Sequence, residues 1–190
     1  MHKFSNIVSG VDALVTLNNL NNGSLLSTID IGATTTGYDA AFQPYVTLAG
    51  GSSGSPKNSY LEWVITFKKA GTNTDTIISN VSATAIDVDG NSNQQEWIEA
   101  FGATSYSTYP TTELNITTSA TSVKATAPTN DYPGIDSVNK VVMFQMNWTN
   151  VSSIVYRTGG INRNSALDRQ FSIYFKPFFN TSSPLPGAEA

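Results

Sequence analysis

Strand-length apolar runs, rich in β-branched and aromatic residues and closed off by Gly, Pro and Asn clusters, recur along the whole chain. This punctuation constrains the fold most, because it leaves little room for the 3.6-residue apolar period of a helix. Residues 60–67 (YLEWVITF), 77–85, 141–149 (VVMFQMNWT), 153–158 and 171–175 (FSIYF) carry the strongest strand signals. In 141–149 both alternating faces bear large apolar groups, as in a central strand covered on two sides. Residues 13–17, 28–31, 45–48, 114–118 and 122–125 are weaker candidates. Residues 93–101 fit either two helical turns or a strand, and the alternation of Trp97, Glu99 and Phe101 with Ile98 and Ala100 puts strand first. About ten strands at this spacing predict an all-β antiparallel sandwich, jelly-roll-like, with little helix.

A chain of 190 residues suits one domain, expected over 1–181, with 182–190 (SSPLPGAEA after Thr181) as a linker or tail. The Gly- and Ser-rich stretch 50–59 reads as a mobile loop.

Composition removes most familiar chemistry. The chain has no Cys and a single His, His2. That excludes disulfides, thiol nucleophiles, Ser-His-Asp triads and ordinary zinc sites. A net charge of −4 and a pI near 4.8 argue against a nucleic-acid partner. No apolar run reaches bilayer-spanning length, so membrane insertion is not expected. Residues 1–4 lack the apolar core of a signal peptide, and the chain reads as an excised piece of a longer polypeptide. Its Asn, Thr and Ser richness, with only 13% charged residues, favours a place outside the cell, at the cell surface.

One constellation carries chemistry. Between Ala70 and Lys124 there is no basic residue, yet Asp75, Asp87, Asp89, Glu96, Glu99 and Glu113 all fall there. The segment IDVDGN sets Asp87, Asp89 and Asn91 at alternate positions with Gly90 free to bend between the last two. Hard oxygen donors on a turning segment suit calcium, which gathers about six to eight oxygens. An EF-hand is excluded, since counting from Asp87 its Gly and Glu positions hold Ser92 and Ile98. The plain alternative is a polar hairpin turn, for which Asp-Gly pairs are common. Asp131 and Asp136, around the PGID turn, are candidate further metal ligands, and Asp168 is a further oxygen donor.

Ligand contacts are expected from Tyr106, Tyr109 and Tyr132, which lie in loop-like contexts, and from Arg163 and Asp168, while the guanidinium forks of Arg163 and Arg169 suit a carboxylate in the fold or on a ligand. Trp63, Trp97 and Trp148 sit in strand-like contexts and are expected in the core.

The segments YLEWVITFKKAGTNTDTI, NVSATAIDVDGNSNQQEWIEAFGATSY, PGID, NWTNVSSIVYRTG and DRQFSIYFKPF together resemble domains of very large secreted bacterial adhesins, including gliding and biofilm-forming types. The resemblance begins at Tyr60 and is carried mainly by the stretch from DVDGN to Tyr106 and by RQFSIYF. It implies a calcium-holding β-sandwich module that binds a glycan or peptide on a surface, or spaces neighbouring modules. A coat or filament subunit that self-associates is the structural alternative. An enzyme is not expected: Glu96 and Glu99 fall on opposite faces of a strand, and Asp87 and Asp89 look too exposed to hold a proton near neutral pH, whereas a glycosidase needs two carboxyls across one sugar, one kept protonated.

Overall fold

The computed structural model describes residues 1–31, 40–178 and 183–184. In chain order the strands are β1 (His2–Val8), β2 (Val11–Asn21), β3 (Leu25–Thr28), β4 (Tyr45–Leu48), β5 (Lys57–Lys69), β6 (Ile78–Ile86), β7 (Gln94–Phe101), β8 (Ser105–Thr108), β9 (Asn115–Thr118), β10 (Ser122–Thr126), β11 (Phe144–Val151), β12 (Ser153–Asn162), β13 (Leu167–Gln170), β14 (Ser172–Tyr174) and β15 (Ser183–Pro184). One turn of 3₁₀ helix, Lys140–Val142, precedes β11.

They form a seven-stranded sheet, β1-β2-β5-β12-β7-β10-β9, a five-stranded sheet, β14-β6-β11-β8-β15, and a small sheet, β13-β4-β3. All paired strands are antiparallel. The fold is therefore the expected all-β sandwich. It has more strands than the roughly ten predicted from spacing, because β1 and short pieces such as β8 and β13 carry weak apolar alternation and are held by their neighbours.

Alternation builds the core. On β5 the buried set is Leu61, Trp63, Ile65 and Phe67; on β12 it is Ile154, Tyr156 and Thr158; on β11 it is Phe144, Met146 and Trp148. Val81, Ala83 and Ala85 of β6 pair across the sheet with Trp148, Met146 and Phe144 of β11, small beside large, so the big side chains have room on the inner face. All three tryptophans are buried, Trp63 and Trp148 in the core as expected, but Trp97 lies on the outer face of β7 with Glu99, covered by Lys124 and Tyr60. Trp63 donates its indole N–H to Thr158 Oγ1 at 3.0 Å.

The 93–101 stretch is strand β7, the reading its alternation put first, locked between β12 and β10. Two local expectations change. The 141–149 run starts as a 3₁₀ turn and becomes strand only at Phe144. The 50–59 loop is pinned: Gly51 N donates to Asn164 O at 2.7 Å, Ser52 and Ser55 exchange backbone hydrogen bonds, and residues from Lys57 onward already belong to β5. Of the expected tail, Ser183–Pro184 pairs with β8, and the other residues of 182–190 lie outside the described residues.

Candidate functional site

The IDVDGN segment is the connection that carries the chain from β6 in one sheet to β7 in the other. Three features shape it. Asp87 takes φ +62°, a backbone region that Asp tolerates better than most side chains. Gly90 is required sterically, since a Cβ there would collide with Gln94 O and stand 2.8 Å from Gln95 Cα. Asn91 closes the turn, its Oδ1 accepting the N–H groups of Asn93 at 2.9 Å and Gln94 at 3.1 Å. The turn chemistry foreseen as the plain alternative is thus present at Gly90 and Asn91, while the two aspartates before it face elsewhere.

Asp87 and Asp89 line a cleft of about 320 Å³ together with Glu96, Asp131, Tyr132, Pro133, Gly134, Ile135, Asp168, Arg169 and Gln170. The loop 131–135, β7 and β13 bring these residues to one end of the sandwich. Glu96 belongs to the inward-facing series of β7 with Ile98 and Ala100, and at 4% exposure it is the buried floor. Among the described residues Arg169 on β13 is the one cation lining the cleft, with Nε 3.4 Å from Glu96 Oε1 and donating to Gln94 Oε1 at 2.9 Å. Five carboxylates line the cleft, against that single guanidinium.

The carboxylates differ in how they are satisfied. Asp89 Oδ2 accepts the Tyr132 N–H at 2.7 Å, and its carboxyl lies within hydrogen-bonding reach of Asp131. Asp168 is exposed and accepts the Thr47 hydroxyl at 2.6 Å. Asp87 accepts the Asp136 backbone N–H, but its Oδ1 is buried without a hydrogen-bond partner among the described residues. The residue as a whole is 7% exposed. Burial, reinforced by the neighbouring Asp89 charge, pushes the Asp87 carboxyl up to about 8. Burial likewise raises Asp89, against the pull of the Tyr132 N–H, and raises Glu96 well above the carboxylate range. The expectation that Asp87 and Asp89 are too exposed to hold a proton is corrected: they are 7% and 4% exposed.

The other expected site residues divide. Asp131 and Tyr132 line the cleft with Asp87 and Asp89, and Asp168 stands at its rim. Asp136 lies beside Asp87, but its carboxylate accepts the Val138 N–H at 2.9 Å and closes its own turn. Tyr132 turns its hydroxyl away to donate to Glu113 at 2.9 Å, so it offers the cleft its backbone and ring rather than its OH. Tyr106 lies in β8 with its ring 6.2 Å from that of Phe144, and Tyr109 is exposed; neither lines the cleft. Arg163 donates to Gln95 at 3.0 Å, bracing the β7 end from outside. Glu96 and Arg169 complete the site, although the spacing around IDVDGN does not single them out as its members. The inward phase of Glu96 on β7 is the signal that could have found it.

For calcium the donor chemistry suits, being all oxygen. Among the described residues no three or more Asp, Glu or His side chains are gathered as ligands of one metal ion, so calcium there would draw part of its shell from carbonyls or water. Glu96 and Glu99 point to opposite faces of β7, with Glu99 held outside by Ser122 Oγ at 2.9 Å and Arg157 at 3.5 Å. They cannot flank one substrate. No helix among the described residues is long and apolar enough to cross a membrane.

No protein-family model matches the chain, and no curated protein matches it. Among solved structures it is similar to the N-terminal domain of the Streptococcus gordonii adhesin Sgo0707, at 13% sequence identity and a TM-score of 0.55. The match covers 94% of this chain and 48% of that one, so this chain spans about half the length of the adhesin structure. At that identity the likeness is one of fold, and it places the chain among β-sandwich architectures.

Proposed function

We propose that this chain is a non-enzymatic adhesion-type module of a bacterial surface protein, working outside the cell, and that it takes up positive charge in the cleft beside the β6–β7 connection. The observation that carries this reading is Asp87 Oδ1, buried without a partner among the described residues on the wall of a cleft where five carboxylates meet one guanidinium. A buried polar group left unsatisfied costs about 1–3 kcal/mol, more when charged, so a cation that displaces the proton of the Asp87 carboxyl gains what the fold leaves unmade. The similarity to an adhesin domain supports a binding rather than a catalytic role.

Calcium belongs to the same proposal as an inorganic occupant. It would have to complete its shell on Asp87 and Asp89 with carbonyls, water or a ligand's oxygens. Thermal unfolding in EDTA, calcium and magnesium tests it. A ligand that binds only the folded form stabilises by about 2.7 kcal/mol at a hundredfold excess over Kd. The expected result is a melting temperature that rises with calcium beyond the magnesium control and a rise that Asp87→Asn with Asp89→Asn abolishes. A flat series removes calcium as an occupant.

A further inference from the structure

We propose that the natural occupant of this cleft is a basic side chain, the guanidinium or ammonium of an Arg or Lys on a partner polypeptide. The inference rests on the reading that the cleft takes up positive charge, and it names the source of that charge.

Three observations carry it. First, the cleft of about 320 Å³ is far larger than one metal ion and is of the order of an extended side chain. Its carboxylates are spread along the walls, with no three gathered on a point among the described residues. A guanidinium or ammonium distributes several N–H donors over several acceptors and suits that spread, whereas Ca²⁺ needs its oxygens at about 2.3 to 2.6 Å. Second, the protein already seats one such group there. Arg169 reaches Glu96 and Gln94, which accounts for the floor carboxylate and leaves Asp87 Oδ1 without a donor and Asp89 facing Asp131. A second cation entering from solvent would meet Asp87, Asp89 and Asp131 and would be kept from Glu96 by Arg169. Third, the target is deep and the approach is mixed in character. Asp87 is 7% exposed, while Pro133 and Ile135 line the same cleft. A Lys or Arg stem packs against apolar walls while its charged head reaches onward. The amine of an amino sugar sits close to its ring and cannot reach so recessed a carboxylate.

The experiment is a titration of the ¹⁵N-labelled chain, followed by amide chemical shifts, with N-acetyl-arginine amide and N-acetyl-lysine amide. The neutral isostere N-acetyl-citrulline amide, glucosamine and calcium chloride are run in parallel. The proposal expects saturable shifts at Asp87, Asp89, Tyr132 and Gly134 with the arginine or lysine derivative and none with the citrulline derivative. It expects at least a tenfold weakening in Asp87→Asn. Asp131 stands exposed on the rim, so Asp131→Asn provides a second variant with little risk to the fold, expected to weaken binding less than Asp87→Asn but measurably. Equal shifts with the citrulline derivative, or undiminished affinity in both variants, overturn the proposal. Shifts with calcium or glucosamine but not with either basic derivative also overturn it, while leaving the cleft as a cation site. Silence from every probe overturns both this inference and the charge-uptake reading beneath it.

Discussion

Two buried aspartates at opposite parts of the sandwich meet opposite fates. Asp12, 2% exposed, follows the β1–β2 turn, where Lys3 Nζ lies 2.7 Å from its carboxylate and the backbone N–H groups of Asn6 and Gly71 each donate at 3.0 Å. Those donors, led by Lys3, hold its carboxyl down at about 2. Asp87 is nearly as buried, yet Oδ1 finds no donor among the described residues and Asp89 lies beside it, so its carboxyl rises to about 8. Burial alone therefore does not decide the charge state; the count of aimed donors does. Asp12 has its donors within the fold and ties the β1–β2 hairpin to the turn after β5. Asp87 lines a cleft and keeps one buried oxygen without a donor among the described residues, which leaves its partner to come from outside the fold.

The contrast is most exposed at Asp12. Asp12→Ala strips the acceptor from Lys3, Asn6 N and Gly71 N together, and it is expected to lower the melting temperature more than any single substitution in the cleft. Differential scanning calorimetry checks it. Asp87→Asn should go the other way. Asn accepts the positive φ of that position and removes a buried charge that lacks a donor, so at pH 9 the ligand-free chain should gain about 1–3 kcal/mol, measured by urea unfolding. At pH 6, where the carboxyl is already protonated in the folded chain, the gain should shrink.

A pH series on the unaltered chain separates the two residues again. For Asp12 the folded value is below the unfolded 3.8, so its contribution is full above about pH 4 and is lost as pH falls toward 2. For Asp87 the folded value is above 3.8, so its contribution is full below that value and is lost as pH rises through about 8. Urea midpoints should fall off below about pH 4 through Asp12 and decline from about pH 4 to 8 through Asp87, and Asp87→Asn should flatten only the second decline. The smallest effect belongs to Asp168→Asn: the residue is exposed, with a hydroxyl partner in Thr47, and unfolding should move by less than about 0.5 kcal/mol.

What could be read from the chain follows the range of the physics. Strands β5, β11 and β12 announce themselves because alternation is local, and Trp63 and Trp148 are placed in the core by it, whereas Trp97 shares the outer face of β7 with Glu99 and is buried there under Lys124. The paired aspartates are legible for the same reason, being two residues apart on a turning segment. The partners of that pair are not local. Tyr132 N reaches Asp89 across 43 residues, and Arg169 reaches Gln94 across 75, distances that only sheet topology fixes. Tyr106 misleads because the context around it reads as loop, whereas pairing with β11 makes it strand. Asn91 misleads in another way: its carboxamide suits calcium and suits a turn equally, and the turn takes it.

The decisive measurement is a ¹³C NMR pH titration of the side-chain carboxyls of Asp12 and Asp87 in the same sample. The expected midpoints are near 2 for Asp12 and near 8 for Asp87, the second falling when the arginine derivative is added. An Asp87 midpoint in the ordinary carboxylate range, near the unfolded 3.8 and unmoved by any cation, would contradict the assignment of this cleft as a site for positive charge.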